Sequence, residues 1–190
     1  MREKDTLRAA MRATLREIPL PEIAAASTRI CQEIHRHPEI HHGAKTVTMF
    51  SARADEVNLS SLHQRLPDKQ FLYPLCHRGG VLSFHHVESP AELTPGMLGI
   101  LEPIPERHPA VATEAIDLFL CPGLIFGRDG SRLGHGGGFY DRALALRKPD
   151  AAVVGIGLQA QLQDSVPSSV HDVFMQKVVT ENGLLDFKPH

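Results

Sequence analysis

Near the N-terminus, Leu7, Met11, Leu15 and Ile18 recur at helical spacing, and Lys4, Arg8, Arg12 and Arg16 recur every four residues beside them. This pattern predicts an amphipathic helix over 4–18 whose basic stripe flanks its buried face. A second helix is expected from near Pro21, because the fixed φ of proline suits a first helical position. Ile23, Ile30 and Ile34 supply its apolar stripe, and it should end before Pro38, since a residue preceding proline avoids the helical region. Beyond that point the pattern changes. Apolar runs at 45–50, 70–73, 81–87, 116–121, 151–156 and 177–180 read as strands. Leu59, Leu62 and Leu66 mark a helix closed by Pro67, and another helix is expected near 139–147. The stretch 89–109 carries five prolines and reads as loop. Largely apolar strands alternating with helices predict an α/β fold, a mostly parallel sheet with helices on both faces. In such sheets ligands bind beyond the carboxyl ends of the strands.

Length and composition narrow the picture. At 190 residues the chain fits one domain, expected to span 1–190, with no internal repeat. Its 20 Lys and Arg against 22 Asp and Glu leave a net charge of −2, which gives no overall pull toward nucleic acid. No apolar run approaches the ~20 residues needed to span a bilayer. The segment MREKDTLRAAMR lacks the apolar region of a signal peptide. Cys31, Cys76 and Cys121 are odd in number, widely spaced and form no CxxC pair, which points to reduced thiols and a cytoplasmic location.

The densest chemical signal lies at 130–142, GSRLGHGGGFYDR, where Gly134, Gly136, Gly137 and Gly138 fall within five residues. Glycine costs conformational entropy on folding, so such density needs a physical reason. Backbone amides unhindered by side chains can converge on an anion, with the positive end of the following helix behind them. A structural turn is the alternative reading of the same glycines. Arg132, ahead of the loop, carries a fork of donors suited to phosphate. Asp141, behind it, either complements the helix dipole or holds Mg²⁺, which takes one or two carboxylates together with phosphate oxygens. The loop is not a Walker A motif, since no Gly-Lys-Ser/Thr follows. Nor is it GxGxxG, because Phe139 stands where the last glycine would be.

The run RLGHGGGFYDR at 132–142 resembles the signature of the 5-formyltetrahydrofolate cyclo-ligase (methenyltetrahydrofolate synthetase) family. Other segments are similar to that family in the same order: Lys4-Asp5-Thr6-Leu7-Arg8 with Arg12, Asp55-Glu56-Val57, Ile100-Leu101-Glu102-Pro103, CPGLIF at 121–126, Val166-Pro167 with His171-Asp172, and VVT at 178–180. The resemblance implies a three-layer sandwich of the NagB/RpiA/CoA-transferase-like type. It implies ATP-dependent ring closure of 5-formyltetrahydrofolate to 5,10-methenyltetrahydrofolate, with release of ADP and phosphate. In that reaction the formyl oxygen attacks the γ-phosphate, and N10 of the folate then displaces phosphate from the activated carbon.

The resemblance also implies roles for particular residues. Lys4, Asp5, Thr6, Leu7 and Arg8 correspond to an ATP site, together with Arg132, Leu133, Gly134, His135, Gly136, Gly137, Gly138, Phe139 and Tyr140. Lys4 and Arg132 are its catalytic cations. Glu56 is similar to the acid that binds the pterin, and His135, Gly136, Gly137, Gly138 and Phe139 to further folate contacts. Asp141 and Asp172 resemble Mg²⁺ ligands. The implied partners are a reduced folate and ATP with Mg²⁺, bound by a monomer that engages neither nucleic acid nor membrane.

Some positions depart from the family pattern. His135 and Phe139 stand where tyrosine is frequent, Asn58-Leu59 where Asp-Thr is usual, Ser51 where an apolar residue is common, and Gly127 where Asp is common. The departures around Asn58 and His135 motivate a second class of function, a catalytically silent folate- or nucleotide-binding protein. A sugar-phosphate enzyme on a similar scaffold is a third. The histidines at 35–42 and at 85–86 are read as solvated rather than metal-binding, since His35 and His37 do not share a helix face as an i, i+4 pair would. Cys121 is read as a small buried side chain, because no activating base is visible beside it.

Overall fold

The structure is a computed structural model that describes residues 2–187; Met1 and 188–190, part of the expected domain, lie outside the described residues. Helix α1 (Arg2–Arg16) buries Met11 and Leu15, and Leu7 and Ile18 pack at the margin of the same cluster. Helix α2 (Leu20–Arg36) has Pro21 in its first turn and buries Ile23, Ile30 and Ile34, the stripe the periodicity predicts. It stops at Arg36, and Pro38 opens the one-turn α3 (Pro38–His41). The helix expected around Leu59–Leu66 shrinks to one turn, α4 (Leu62–Arg65), although Leu59, Leu62 and Leu66 are all buried. Helix α5 (Phe139–Ala145) follows the glycine loop and ends short of 147.

The strands are β1 (Thr46–Thr48), β2 (Gln70–His77), β3 (Val81–His86), β4 (Thr94–Pro95), β5 (Leu101–Glu102), β6 (Ala110–Val111), β7 (Leu118–Pro122), β8 (Ile125–Gly127), β9 (Arg132–Leu133), β10 (Ala152–Ile156), β11 (Leu162–Gln163), β12 (Lys177–Thr180) and β13 (Gly183–Asp186). Eight of them form the main sheet in the order β13-β12-β10-β7-β1-β2-β3-β6. Its centre, from β12 to β2, is parallel, while β13, β3 and β6 pair antiparallel at the two margins. The expected parallel sheet is thus present with antiparallel flanks. Both flanks begin with tight hairpins, the β2–β3 turn through Gly79-Gly80 and the β12–β13 turn before Gly183.

Strand β2 runs beyond its expected end at 73, straight through Pro74. The neighbouring β1 pairs only as far as Leu72, whose carbonyl accepts from Met49 on that side. Residues two apart face the same way along a strand. The missing N–H of Pro74 therefore faces the region past the end of β1, where no ladder bond is lost.

Side chains alternate across β7. Leu118 and Leu120 join the cluster under α1 and α2, while Phe119 and Cys121 join the cluster under α5. Helices therefore cover both faces. Phe126 on β8 is buried among glycines: a Cβ at Gly123, Gly155 or Gly157 would lie 2.7, 2.6 or 2.7 Å from its ring. The solvated reading of the histidines at 85–86 does not hold for His85. His85 is buried within β3, not solvated; its Nδ1 bonds the His108 carbonyl at 2.9 Å and its Nε2 bonds Ser83 Oγ at 2.8 Å. Pairing of β3 with β6 and cover from the segment around His108 take the ring out of water, and the two bonds replace the lost hydration. Cys31, Cys76 and Cys121 are unpaired and buried, and burial pushes the Cys76 and Cys121 thiols up to about 12. Among the described residues no helix is long and apolar enough to cross a membrane.

Candidate active site

A cleft of about 310 Å³ opens along the carboxyl edge of the parallel strands. Phe50 and Ser51 enter it from beyond β1, Pro74 and Cys76 from the far half of β2, and Pro122 from the end of β7. The short β8–β9 pair returns the chain to the same edge and delivers Arg132, the glycine loop and α5. Helix α1 closes the opposite side with Lys4 and Arg8. Asp5 and Thr6 are exposed and Leu7 packs on the core, so the structure does not bring these three to the cleft wall. Helical geometry presents only one face, and here it is the Lys4–Arg8 face.

Arg132 is held tightly. Its side chain is 3% exposed; Nη2 donates to Asp141 Oδ1 at 2.7 Å and Nη1 to the Pro122 carbonyl at 3.1 Å. Its guanidinium lies 5.8 Å from the centre of the Tyr140 ring. Arg132 Nε, the Tyr140 hydroxyl and Ser51 Oγ are buried and make no hydrogen bond among the described residues. Burial pushes the Tyr140 hydroxyl well above its ordinary range, so it stays a neutral donor. Lys4 Nζ pairs with Asp172 Oδ2 at 2.7 Å. Burial alone would raise the Asp172 carboxyl, but Lys4 and the Ser169 amide outweigh it and hold the group below its usual value. The two cations assigned to phosphate are therefore each paired with one of the two carboxylates assigned to Mg²⁺.

The glycine loop is fastened through its carbonyls. Arg8 Nε donates to Gly134 O at 3.0 Å, and Arg12 Nη2 to His135 O at 3.2 Å. Gly136 and Gly138 turn the chain at φ of 109° and 64°, which glycine adopts at least cost. The amides of 135–138 make no hydrogen bond to the protein among the described residues. Leu133 and Phe139 line the wall beside them.

Across the loop, His135 Nε2 donates to Glu56 Oε1 at 3.0 Å, and the Arg53 amide donates to Glu56 Oε2 at 3.0 Å. Burial would raise the Glu56 carboxyl, but these two donors outweigh it and hold the group below its ordinary 4.5. A carboxylate whose folded pKa is depressed adds stability that is complete above the unfolded pKa and is lost as pH falls through the folded value. Between about pH 5 and about pH 3 the wild-type protein is therefore expected to lose more stability than Glu56→Gln. Urea denaturation at both pH values checks this; equal losses would mean that the carboxylate is not held by its donors.

Glu56, His135 and the loop thus come together, as do Arg132, Asp141, Lys4 and Asp172. The apolar end of the cleft, where Pro74, Cys76, Leu82 and Ile100 complete the wall, is not legible in the sequence. Strand order places these residues, and nothing in their local pattern announces it. Among the described residues no three His, Cys, Asp or Glu side chains converge as a metal-binding group. A site of two carboxylates fits Mg²⁺ only when phosphate oxygens complete the shell.

A mostly parallel sheet whose carboxyl edge carries an amide-lined cleft with Lys4, Arg8 and Arg132 in its wall defines an α/β protein suited to a small molecule with anionic groups. The chain belongs to the 5-formyltetrahydrofolate cyclo-ligase family, whose sequence model matches residues 1–181. It is 38% identical over 91 residues to the 5-formyltetrahydrofolate cyclo-ligase of Mycolicibacterium smegmatis, a match covering 48% of this chain and 47% of that protein. The match thus spans about half the length of that relative. The Escherichia coli K12 protein of the same name is 30% identical over 149 residues, 76% of this chain and 82% of its own length. The NMR structure of Aquifex aeolicus 5,10-methenyltetrahydrofolate synthetase superposes with a TM-score of 0.84 at 28% identity, over 98% of this chain and 94% of that one. By name, the two sequence relatives are ligases and the structural neighbour a synthetase.

Proposed function

We propose that this chain converts 5-formyltetrahydrofolate to 5,10-methenyltetrahydrofolate in an ATP- and Mg²⁺-dependent reaction that releases ADP and phosphate. One observation supports this most. Four successive amides of a glycine loop are unpaired beside Lys4, Arg8 and Arg132, while the neighbouring carbonyls are tied down by arginines. Such a run of free amides beside three cations offers a polyphosphate a converging set of donors. The unpaired Arg132 Nε and Tyr140 hydroxyl add two more donors in want of an acceptor.

The formyl oxygen attacks the γ-phosphorus as the bond to ADP breaks; N10 then attacks the activated carbon, and the C–O bond breaks as phosphate departs and the N10 proton is released to it or to water. The protein acts by positioning and by charge. Lys4 and Arg132, the catalytic cations, neutralise charge on the phosphoryl oxygens as the nucleophile arrives. Asp141 and Asp172 are the carboxylates that would hold Mg²⁺, which would supply positive charge to the phosphates. Glu56 accepts hydrogen bonds from the amino and ring N–H donors of the pterin, with His135 keeping it ionised. Pro74, Leu82, Ile100 and Phe139 exclude water, which would otherwise intercept the activated carbon. We read the fold as NagB/RpiA/CoA-transferase-like and the protein as a cytoplasmic monomer.

A direct assay tests the proposal. Purified protein given 5-formyltetrahydrofolate, ATP and Mg²⁺ is expected to generate the absorbance of the methenyl product, and to generate none without ATP. Binding of both ligands without turnover would identify the silent binding protein instead.

A further inference from the structure

Arg142 has no role in the reading above, yet it fastens the glycine loop from outside the cleft. Its Nε donates to Gly80 O at 2.9 Å and its Nη2 to Gly137 O at 2.5 Å, with the guanidinium 5.9 Å from the centre of the Phe139 ring. Gly80 belongs to the turn between β2 and β3. A Cβ there would lie 1.7 Å from Arg142 Nη2, so the bare turn is what lets one guanidinium reach both carbonyls. Arg142 is exposed and does not line the cleft, whereas Gly137 and Gly138 do.

In a planar trans peptide the carbonyl and the next N–H point in opposite directions. Drawing Gly137 O outward to Arg142 therefore turns the Gly138 N–H inward. Arg12, also outside the cleft wall, acts in the same way on His135 O and turns the Gly136 N–H inward. Neither amide has a protein partner among the described residues.

We infer that Arg142 is a positioning residue of the phosphate site: anchored on the β2–β3 turn, it holds the Gly137 carbonyl and so aims the Gly138 amide at a phosphate oxygen of bound nucleotide. The inference rests on the nucleotide reading above. It assigns the two outer arginines separate amides, Arg12 to Gly136 and Arg142 to Gly138. An unaimed amide is a lost charge-assisted hydrogen bond, worth about tenfold in affinity.

The test is a titration of ¹⁵N-labelled protein with ATP and Mg²⁺, followed amide by amide, with ATP affinity measured by calorimetry. In the wild-type protein the Gly136 and Gly138 resonances both move on nucleotide addition. In Arg142→Gln the Gly138 response is lost and the Gly136 response persists, with ATP bound about tenfold more weakly. In Arg12→Gln the responses exchange. Gly80→Ala, which crowds the guanidinium away from the other side, reproduces the Arg142→Gln result, and the spectra themselves report that each variant is folded. If Arg142→Gln keeps both responses and wild-type affinity, the positioning role is overturned and the nucleotide site stands. If neither resonance of the wild-type protein responds to ATP, the nucleotide reading falls and the inference with it.

Discussion

Arg132→Ala is expected to weaken ATP binding about 100-fold, equivalent to roughly 2.7 kcal/mol, and to lower folding stability by about 3 kcal/mol. Both effects follow from burial. The guanidinium is almost out of water, bonded to Asp141 and to the Pro122 carbonyl, with Nε unpaired. Truncation leaves the partly buried Asp141 carboxylate without its cation and removes the donors a phosphate would meet. Arg132→Lys separates the two effects. It keeps the charge that neutralises Asp141 but cannot reach Asp141, Pro122 and a ligand together, so stability recovers more than ATP affinity does. Calorimetric titration with ATP and Mg²⁺, beside urea denaturation, reads both quantities. Unchanged ATP affinity in Arg132→Ala would remove this residue from the phosphate site.

Phe126→Ala is expected to cost about 4 kcal/mol of stability, within the usual range for deleting a buried aromatic ring, and to lower the melting temperature by roughly 10 °C. The ring fills space left by Gly123, Gly155 and Gly157, and its packing supports the Pro122-Gly123 turn that accepts from Arg132. A coupled measurement tests this account. In the wild-type protein Gly155→Ala places a Cβ 2.6 Å from the Phe126 ring and should destabilise. In the Phe126→Ala background the same methyl enters the cavity and keeps only the 3.0 Å contact to Val178 Cγ2, so it should cost much less than in the wild-type protein. Additive losses in the double variant would show that the glycines are not there to admit the ring.

Much of the fold was legible because its determinants are local. The stripe of Ile23, Ile30 and Ile34 specified α2 and Pro38 its end, and the runs at 151–156 and 177–180 sit within a residue of β10 and β12. The errors have particular causes. The strand expected at 70–73 continues through Pro74, which lies past the last residue of β1, where an N–H is not needed. β13 was not anticipated; it is the return limb of a hairpin whose turn residues, Glu181 and Asn182, were not read as such. His85 looked solvated because its surroundings come from β6 and the segment around His108, distant in sequence.

The same division runs through the site. The amino-acid sequence by itself determined the glycine loop and the stripe of cations along one helical face, because both depend on neighbours a few positions away. It also carried the family membership. Only the tertiary structure decided how those groups are paired and aimed: Lys4 against Asp172, Arg132 against Asp141, and the loop carbonyls against Arg8, Arg12 and Arg142. The physical reason is range. A helix or a turn is specified by residues within a few positions of one another, whereas Lys4 and Asp172 stand 168 positions apart and meet only because sheet order brings α1 and the chain before β12 to one edge.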